Sequence, residues 1–493
     1  MSIHVIRKNI FFQPDSKRII ARFFYISDER SMKIIQRVLS LTEEKQKEIL
    51  KQVLRGYSKR HRSIIQIFEK HFNRLDSCFK LLKIDPHTLT ETQKLVIGSF
   101  FTMEYSIEAA AFFNPSIVED LDQTQLAEGE KRIILSFRAT GEGHVSSIVF
   151  RSAIIDDHLN IRMEHVGNML DKPSQIKNHR YHKKSFLKKL KEMHCMYSHV
   201  YDVISNKLTD TFTYEELKKY VEETKGEIVL DQEGLVFLQE IMWLASSHYE
   251  MTFSLDTSLS ERVIFPIADT EKRGIEDARF VKLTDDDGTI TYYASYTAYD
   301  GVAILPKLLI TSDFYHFKVL PIHGEIAQNK GLALFPRKIK GKYAMLCRID
   351  GENNYIAFSD TINVWREPAK LIQTPENPWE FVQLGNCGSP LETPDGWLVI
   401  THGVGPMREY VLGASLFDLD RPAKEIGRMT LPLLSPNDHE REGYVPNVVY
   451  SCGSIIHNNQ LILPYAMSDY ASTYATIAID ELLQELKNPT NPS

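Results

Sequence analysis

The sequence lacks any long apolar segment, and it contains few cysteines. No stretch approaches about 18 consecutive apolar residues, so we expect no transmembrane helix. Met1 to Ala21 mixes charged with apolar residues and has no signal-peptide core. The five cysteines (Cys78, Cys195, Cys347, Cys387 and Cys452) are scattered and include no CxxC pair. These absences predict a reduced, cytoplasmic protein without a membrane partner, structural zinc or another bound metal.

An excess of one charge sign is also missing. The 58 Lys+Arg residues are balanced by 65 Asp+Glu residues, which gives a net charge of −7 at pH 7. This mild acidity argues against a protein that binds nucleic acid across its surface, so we expect no nucleic-acid partner. Hydrophobic residues make up 43% of the 493 residues, which is an ordinary globular proportion and excludes wholesale disorder. The composition leaves open whether the chain forms a homo-oligomer.

The chain has two regions with different residue patterns. The first hundred residues favour helices, with a predicted capping box at Ser40 and Glu43 before an apolar stripe that ends near Gly56, and a second helix over roughly 62–82. From about residue 105, short apolar and β-branched runs alternate with turn residues, which predicts an all-β sandwich, barrel or propeller. The clearest predicted strands lie in segments 132–140, 146–156, 289–299, 341–350, 396–404 and 459–467.

A helical interruption is predicted inside the β region. The segment Thr213-Tyr-Glu-Glu216 is predicted to open another helix, and a further helix is expected over Glu233 to Ser247. A basic run precedes them and comprises Lys177, Arg180, Lys183, Lys184, Lys188, Lys189 and Lys191. Such a run is either a surface for nucleic acid or phosphate or, more often, a solvated helix face. The histidines in 179–182 lack metal-ligand partners, so we expect them to be solvated.

Four short segments carry the chemical signal. The first pairs Phe113-Asn-Pro-Ser-Ile117 with Leu135-Ser-Phe-Arg-Ala-Thr140, and the second is Arg273-Gly-Ile-Glu-Asp-Ala-Arg-Phe280. The third pairs Leu334-Phe-Pro-Arg-Lys338 with Ala344-Met-Leu-Cys-Arg348. The fourth spans 385–403, from Gly-Asn-Cys-Gly-Ser-Pro to Thr-His-Gly, and Tyr444-Val-Pro-Asn-Val448 follows it. Each tetrapeptide alone is weak, but the set in this order is specific.

This set resembles glycoside hydrolase family 130, the β-mannoside phosphorylases and mannosidases, over roughly residues 105–480. The resemblance implies a mainly β protein, a five-bladed β-propeller with a central pocket. We expect residues 1–95 to form a helical N-terminal extension, as in a longer subgroup of the family. Residues 96–485 would form the catalytic propeller, with a helical insertion at about 172–250.

The resemblance also assigns roles to single residues. Asp277 matches the general acid, which protonates the glycosidic oxygen as the bond breaks, in this family through a mannose hydroxyl. Asn114, Arg138 and Asp469 match residues that contact the terminal mannose. Arg279 is expected on the same strand face as Asp277, where it would hold that carboxylate or a sugar hydroxyl.

The attacking group distinguishes the two activities of the family. Phosphorolysis needs a cationic cradle for phosphate, whereas inverting hydrolysis needs a second carboxylate to activate water. Arg337, Arg348 and His402 match the cradle, but Gln383 occupies the position of the expected lysine. The carboxylates considered as a base for water are Glu380, Glu392 and Glu440.

The sequence therefore predicts an inverting, exo-acting phosphorylase of β-linked manno-oligosaccharides that releases α-mannose 1-phosphate. A β-1,2 linkage is expected from the longer-subgroup resemblance alone. The resemblance implies inorganic phosphate as co-substrate and no metal or organic cofactor. The alternatives are an inverting β-1,2-mannosidase, a non-catalytic carbohydrate-binding propeller, and a scaffold protein; a Ser–His–Asp hydrolase is excluded because no Gly-x-Ser-x-Gly turn is present.

Overall fold

The fold is mainly β, as the sequence predicts. A computed structural model describes residues 3–173, 175–178, 180–192 and 198–488. Cys195, His179 and the side chains of Lys177 and Lys189 lie outside the described part, so the predictions that involve them are not tested. In that part, strands pair into seven sheets. No described helix is both long and apolar enough to cross a membrane.

The N-terminal segment combines strands with helices. Its elements are β1 (Val5–Arg7), β2 (Ile19–Phe23), α1 (Asp28–Leu39), α2 (Glu43–Tyr57), α3 (Ile64–Phe72), α4 (Asp76–Leu82), α5 (Glu91–Phe100) and β3 (Thr102–Ser106). The expectation that 1–95 is helical throughout is therefore wrong for its first part. There, β-branched pairs such as Ile19-Ile20 favour strands, and β2 pairs antiparallel with β3.

The capping box predicted at Ser40 and Glu43 is also wrong. Ser40 ends α1, where its backbone N–H donates to Gln36 O and Val38 O. The helix that follows is capped instead by Thr42, whose side chain accepts from Lys45 N. Ser40 keeps helical backbone angles, so it cannot adopt the extended conformation that an N-cap requires.

The helical insertion is attached to the edge of a large sheet. The strands before it are β4 (Ala111–Glu119), β5 (Lys131–Thr140), β6 (Ser146–Ile155) and β7 (Ile161–Met163). The insertion contains β8 (Gln175–Asn178), β9 (Tyr181–His182), α6 (Lys183–Glu192), α7 (Ser198–Lys207), β10 (Thr211–Phe212), α8 (Tyr214–Glu227), α9 (Gln232–Ser246) and β11 (Tyr249–Thr252). The helix predicted to open at Thr213 is confirmed as α8, and in the structure Thr213 and Glu216 form a capping box at its start. The helices bury a hydrophobic cluster of their own, which makes the insertion a separately packed unit.

Short strands and hairpins form the remainder. They are β12 (Val263–Ile264), β13 (Gly274–Thr284), β14 (Ile290–Tyr299), β15 (Ile304–Thr311), β16 (His316–Pro321), β17 (His323–Gly324), β18 (Ala333–Leu334), β19 (Tyr343–Cys347), β20 (Asn354–Ser359), β21 (Val364–Trp365), β22 (Lys370–Gln373), β23 (Gln383–Asn386), β24 (Leu391–Thr393), β25 (Gly396–Val404), β26 (Tyr410–Phe417), β27 (Glu425–Arg428), β28 (Val449–Tyr450), β29 (Ile455–His457), β30 (Gln460–Met467), β31 (Ala471–Ala478) and α10 (Ile479–Lys487). Strands therefore occur in all six segments where the sequence predicts them.

The sheets follow the order of the chain. An 11-stranded sheet runs in the order β4-β5-β6-β13-β14-β15-β16-β11-β8, with β7 and β12 paired to β6. Two later sheets run β18-β19-β20-β22 and β23-β25-β26-β27. The last sheet runs β28-β30-β31-β1, so the N-terminal strand adds to the C-terminal sheet. This pairing joins the two ends of the described chain.

Candidate active site

A cavity of about 230 Å³ collects most of the residues predicted for the site. Its walls come from β4, β5, β13, β14, β15, β23, β25, β26 and β28, and from the loops around them. Seven of the eight predicted site residues line this cavity: Asn114, Arg138, Asp277, Arg279, Arg348, His402 and Asp469. The eighth, Arg337, does not line it.

Two β-bulges bring the predicted acid and its neighbours together. The ladder between β4 and β5 shifts register between Phe113 and Ser116, and β13 shifts against β14 between Glu276 and Arg279. The bulged residues Asn114 and Asp277 both have positive φ. In this conformation Asn114 Nδ2 donates to Asp277 Oδ1 at 2.6 Å. A bulge re-aims a side chain that regular pleating would point elsewhere, so these bulges create the contact.

Glycines provide the room that this geometry needs. Gly274, which begins β13, has φ of +136°, and a Cβ there would lie 2.5 Å from Ser146 Oγ. At Gly385 a Cβ would lie 2.3 Å from His402 Cε1 and 3.2 Å from Arg348 Nη1. A larger residue at either position would displace the acid-bearing strand or the imidazole.

An ion-pair network surrounds Asp277. Arg138 Nη2 donates to Glu276 Oε1 at 2.8 Å, and Arg138 Nη1 lies 3.5 Å from Asp277 Oδ1. Lys330 Nζ donates to the other Glu276 oxygen at 2.8 Å. The sequence analysis missed Lys330 and Glu276. The turn Asn329-Lys330-Gly331 just before the third motif segment was the available signal for Lys330.

The two carboxylates of the cavity have opposite pKa shifts. Burial works to raise the pKa of Asp277, but Arg138, Lys330 and the Asn114 hydrogen bond together lower it below its ordinary value. At Asp469, burial and then the charge of Asp277 raise the pKa to about 6. Asp277 is thus ionised in the ligand-free cavity, and Asp469 is the carboxyl nearer to protonation at neutral pH.

Arg279 does not hold Asp277, contrary to one of the two roles expected for it. Its Nη1 donates to Asn386 O at 2.9 Å and also to the Asn386 side chain, and its Nη2 donates to Tyr450 OH at 2.5 Å. The register shift before Arg279 separates it from Asp277 on the strand face. The guanidinium stays buried at the cavity wall, where it adds positive charge.

Arg348 and His402 lie in direct contact. Arg348 Nη1 donates to His402 Nε2 at 3.3 Å, and Gln383 Nε2 lies 3.1 Å from the same nitrogen. A guanidinium has no acceptor, so His402 Nε2 must be unprotonated. Burial first, and then the charges of Arg348 and Arg279, hold the pKa of His402 well below its ordinary value. The imidazole is therefore neutral and supplies no positive charge, although it was predicted as part of a cationic cradle.

Three buried polar atoms of cavity residues have no hydrogen-bond partner among the described residues. They are Arg348 Nε, Arg138 Nε and Asn114 Oδ1. An unpaired buried polar atom costs free energy, which a ligand group can recover by pairing with it. The three residues themselves line the cavity, and their guanidinium and amide groups suit a polyhydroxylated or anionic ligand.

Arg337, which is predicted to bind phosphate, lies outside the cavity. Its Nε and Nη2 donate to the two Glu392 oxygens at 2.8 and 2.7 Å, and its guanidinium stacks over Trp397 at 4.9 Å. Its side chain is 41% exposed. Arg337 follows Pro336 beyond the end of β18, where β24 and β25 offer this carboxylate and ring. The bidentate pair and the aromatic face hold it away from the cavity.

None of the three candidate bases lines the cavity. Glu392 is bound to Arg337 as described, while Glu380 accepts from the backbone N–H groups of 376 and 377. Glu440 accepts from Tyr465 OH at 2.6 Å. Further polar residues that the sequence analysis did not assign do line the cavity: Asn329, Arg408, Tyr410 and Tyr450.

Comparisons with known proteins agree on one family. The profile of glycoside hydrolase family 130, described as beta-1,4-mannooligosaccharide phosphorylase, matches residues 254–488. A 1,2-beta-oligomannan phosphorylase from a Thermoanaerobacter species is 35% identical over 227 residues, which cover 45% of this chain and 74% of that protein. A beta-1,2-mannobiose phosphorylase from Listeria innocua is 29% identical over 265 residues, covering 52% and 72%.

Solved structures are also similar. The Listeria innocua beta-1,2-mannobiose phosphorylase in complex with beta-1,2-mannobiose has a TM-score of 0.45 at 22% identity, over 77% of this chain and 92% of that one. The family profile begins at residue 254, so it includes Asp277 and Arg348 but not Asn114 or Arg138.

Proposed function

Since the chain belongs to glycoside hydrolase family 130 and is an enzyme acting on β-mannosides, we propose that it cleaves manno-oligosaccharides by phosphorolysis. The reaction would remove the terminal mannose from the non-reducing end with inversion and release α-mannose 1-phosphate. A β-1,2 linkage is proposed because the two relatives described above carry that linkage in their names. The observation that carries the proposal is that one cavity contains both Asp277 and the half-buried guanidinium of Arg348.

In this proposal, Asn114, Arg138 and Asp469 hold the terminal mannose. Their place in the cavity lining supports this role, because guanidinium, amide and carboxyl groups can pair with vicinal hydroxyls. Orienting the sugar in this way places its anomeric carbon for attack.

Phosphate would bind at Arg348, whose Nε is unpaired. Arg279 lies near enough for its charge to help lower the pKa of Arg348, after burial, so two guanidinium groups face the same region. Arginine suits phosphate because its forked donors match two oxygens. His402 would orient Arg348 instead of adding charge, and Arg337 has no part.

Asp277 would donate the proton to the glycosidic oxygen. Its lowered pKa in the ligand-free cavity means that the proton must be acquired as ligands bind. Phosphate at Arg348 and Arg279 brings negative charge next to Arg279, one of the cations that lower this pKa, and a sugar hydroxyl competes for the Asn114 amide. Both changes raise the pKa of Asp277, so phosphate would act as nucleophile and also help the acid hold its proton.

We also propose a five-bladed propeller for the catalytic part, residues 96–485. The succession of sheets in chain order supports it. The pairing of β1 with β31 adds a strand from outside these residues to the last sheet. The insertion at about 172–250 would then be attached to the outer edge of one blade through β8 and β11.

Inverting hydrolysis is the second candidate function. The placement of Arg337 outside the cavity favours it, since one cation fewer is available for phosphate. Asp469 adds a second carboxylate to the cavity, and inverting hydrolysis requires two.

One assay decides between these functions. The enzyme is incubated with β-1,2-mannobiose and β-1,2-mannotriose, with and without inorganic phosphate, and the products are separated. We expect mannose 1-phosphate only when phosphate is present. Free mannose released equally in both conditions would establish hydrolysis, and no release from either substrate would leave a carbohydrate-binding protein.

A further inference from the structure

A second cavity, of about 360 Å³, lies where the helical insertion meets the short ribbon of β17 and β21. The beginning of α6 forms one wall, and the end of α9 forms another. The chain around β17 and β21 closes the remaining side. None of its lining residues lines the first cavity, so it is a separate feature of the molecule.

The charge of this cavity is of one sign. Lys184, Lys188 and Arg366 line it together with the imidazole of His182, and none of the described lining residues is acidic. All three cationic residues are exposed, and together they give this space a positive charge in a chain whose net charge is −7. An anion in the cavity would accept charge-assisted hydrogen bonds from them.

The lysines of the basic run fall into two groups: some have partners within the insertion, and others line the cavity. Lys183 Nζ donates to the backbone carbonyl of Leu208 at 3.0 Å, and Lys191 Nζ lies 5.3 Å from the ring centre of Tyr201. These two lysines are used within the insertion. Lys184 and Lys188 are four residues apart on α6, so they share a helix face, and both line the cavity.

Apolar side chains complete the cavity walls. The hydroxyl of Tyr181 is directed to the carbonyls of Ala245 and His248, so its buried ring is what it offers to the cavity. Phe186 and Leu244 are buried beside it. Cationic groups next to apolar surface suit a small molecule that has an anionic group and an organic body.

We propose that this cavity binds a small phosphate monoester of the sugar-phosphate type, outside the catalytic site. The lysines and Arg366 would take the phosphoryl group, and the apolar walls would take the sugar ring. A concave space of this size accommodates a metabolite, and the net charge of −7 disfavours a long polyanion such as nucleic acid. The inference does not depend on the proposed reaction.

The test titrates the full chain with mannose 6-phosphate and with inorganic phosphate by calorimetry. The titration is repeated in Arg348→Ala, which weakens anion binding in the catalytic cavity only. We expect a saturable site for mannose 6-phosphate that persists in Arg348→Ala, and weaker binding of inorganic phosphate. Affinity should fall at least about tenfold in Lys184→Ala/Lys188→Ala and again in a separate Arg366→Ala variant, because each removes charge-assisted bonds.

The matched controls are Lys218→Ala/Lys219→Ala, two exposed lysines on α8 of the same insertion, and Arg421→Ala. They lose the same charge and should keep wild-type affinity. Unchanged mannoside cleavage in the Lys184→Ala/Lys188→Ala variant would show that it is folded. The proposal is overturned if wild type shows no saturable site, or if the controls lose affinity equally. It is also overturned if a single-stranded oligonucleotide binds the same residues more tightly, or if inorganic phosphate binds as tightly as mannose 6-phosphate.

Discussion

The two cavities both contain cations, but they differ in what faces those cations. In the catalytic cavity, Arg138 is paired with Glu276 and lies close to Asp277, and Lys330 is also paired with Glu276. In the insertion cavity, Lys184, Lys188 and Arg366 face no acidic residue among the described lining. A space with charges of both signs can shift the pKa of a carboxyl group and move a proton. A space lined only by positive charges can hold an anion but has no carboxyl group to transfer a proton. The difference therefore separates a site for chemistry from a site for binding.

Asp277→Asn is expected to have the largest effect. Without the acid, turnover of β-1,2-mannobiose should fall by about a hundredfold to ten-thousandfold, the usual contribution of general acid catalysis. The initial rate measures this loss, and calorimetry should show that mannobiose still binds. Asp286→Asn, in the turn at the other end of the β13–β14 hairpin, is the control and should keep its rate. A rate within tenfold of wild type in Asp277→Asn would show that proton chemistry does not distinguish this cavity.

Lys307→Met tests a buried network that lies between the cavities. Lys307 Nζ donates to Glu271 at 2.7 Å with both side chains fully buried, and Tyr249 and Tyr296 donate to the same carboxylate. Tyr296 lines the catalytic cavity, and Tyr249 follows His248 of the insertion cavity. The free energy of unfolding should fall by about 3–5 kcal/mol, because a charged Glu271 is left unpaired.

Denaturant unfolding measures that loss. The double variant Lys307→Met/Glu271→Gln should recover part of it, since the unpaired charge is gone. Both cavities should lose ligand affinity together in the single variant. An unchanged free energy of unfolding would contradict the buried-pair account.

Arg348→Gln and Arg337→Gln compare an arginine inside the catalytic cavity with one outside it. The KM for phosphate should rise roughly tenfold to a hundredfold in Arg348→Gln, the range expected for lost hydrogen bonds to a charged group. It should stay near wild type in Arg337→Gln, because that guanidinium is occupied by Glu392. Phosphate-dependent initial rates measure both values. A matching rise in Arg337→Gln would mean that the arginine leaves Glu392 when phosphate binds.

Asp469→Asn is expected to have the smallest effect on stability, and its sign depends on pH. The pKa of Asp469 is raised from 3.8 to about 6 in the folded protein. Between those values the folded state keeps a proton that the unfolded state releases, so stability falls as pH rises through this window. Asparagine cannot ionise, so the variant does not lose this stability as pH rises. Between about pH 4 and about pH 8, the free energy of unfolding of the variant should therefore gain on that of wild type by on the order of 1–2 kcal/mol. Melting temperatures at both pH values test this, and an equal difference at both would contradict the raised pKa.

The strands were predictable from sequence because alternating β-branched runs between turn residues are a local signal. The signal for a helix that opens at Thr213 is equally local, and that helix is confirmed. The box at Ser40 and Glu43 is wrong because Thr42, two residues away, offers the same chemistry with the required backbone. The N-terminal strand was missed because β1 is stabilised by β31 at the other end of the chain.

Site residues were predictable where a sequence motif contains a residue that lines the catalytic cavity, as for Arg138 and His402. It was not predictable for Arg337, whose partner Glu392 lies in another sheet, or for Lys330, whose partner Glu276 comes from a distant strand. The charge state of His402 was also not predictable from the sequence, because it depends on burial and on the Arg348 contact.

Residue types and their order along the chain determined the class of fold, the family and the chemical groups present. Those properties follow from local preferences and from short motifs, which do not require knowledge of distant contacts. Only the tertiary structure decided which arginine faces the catalytic cavity, which carboxyl carries the raised pKa, and which lysines of the basic run line a second cavity. Each of these is set by the separation of charges and their exclusion from water, and both depend on segments that are far apart in sequence.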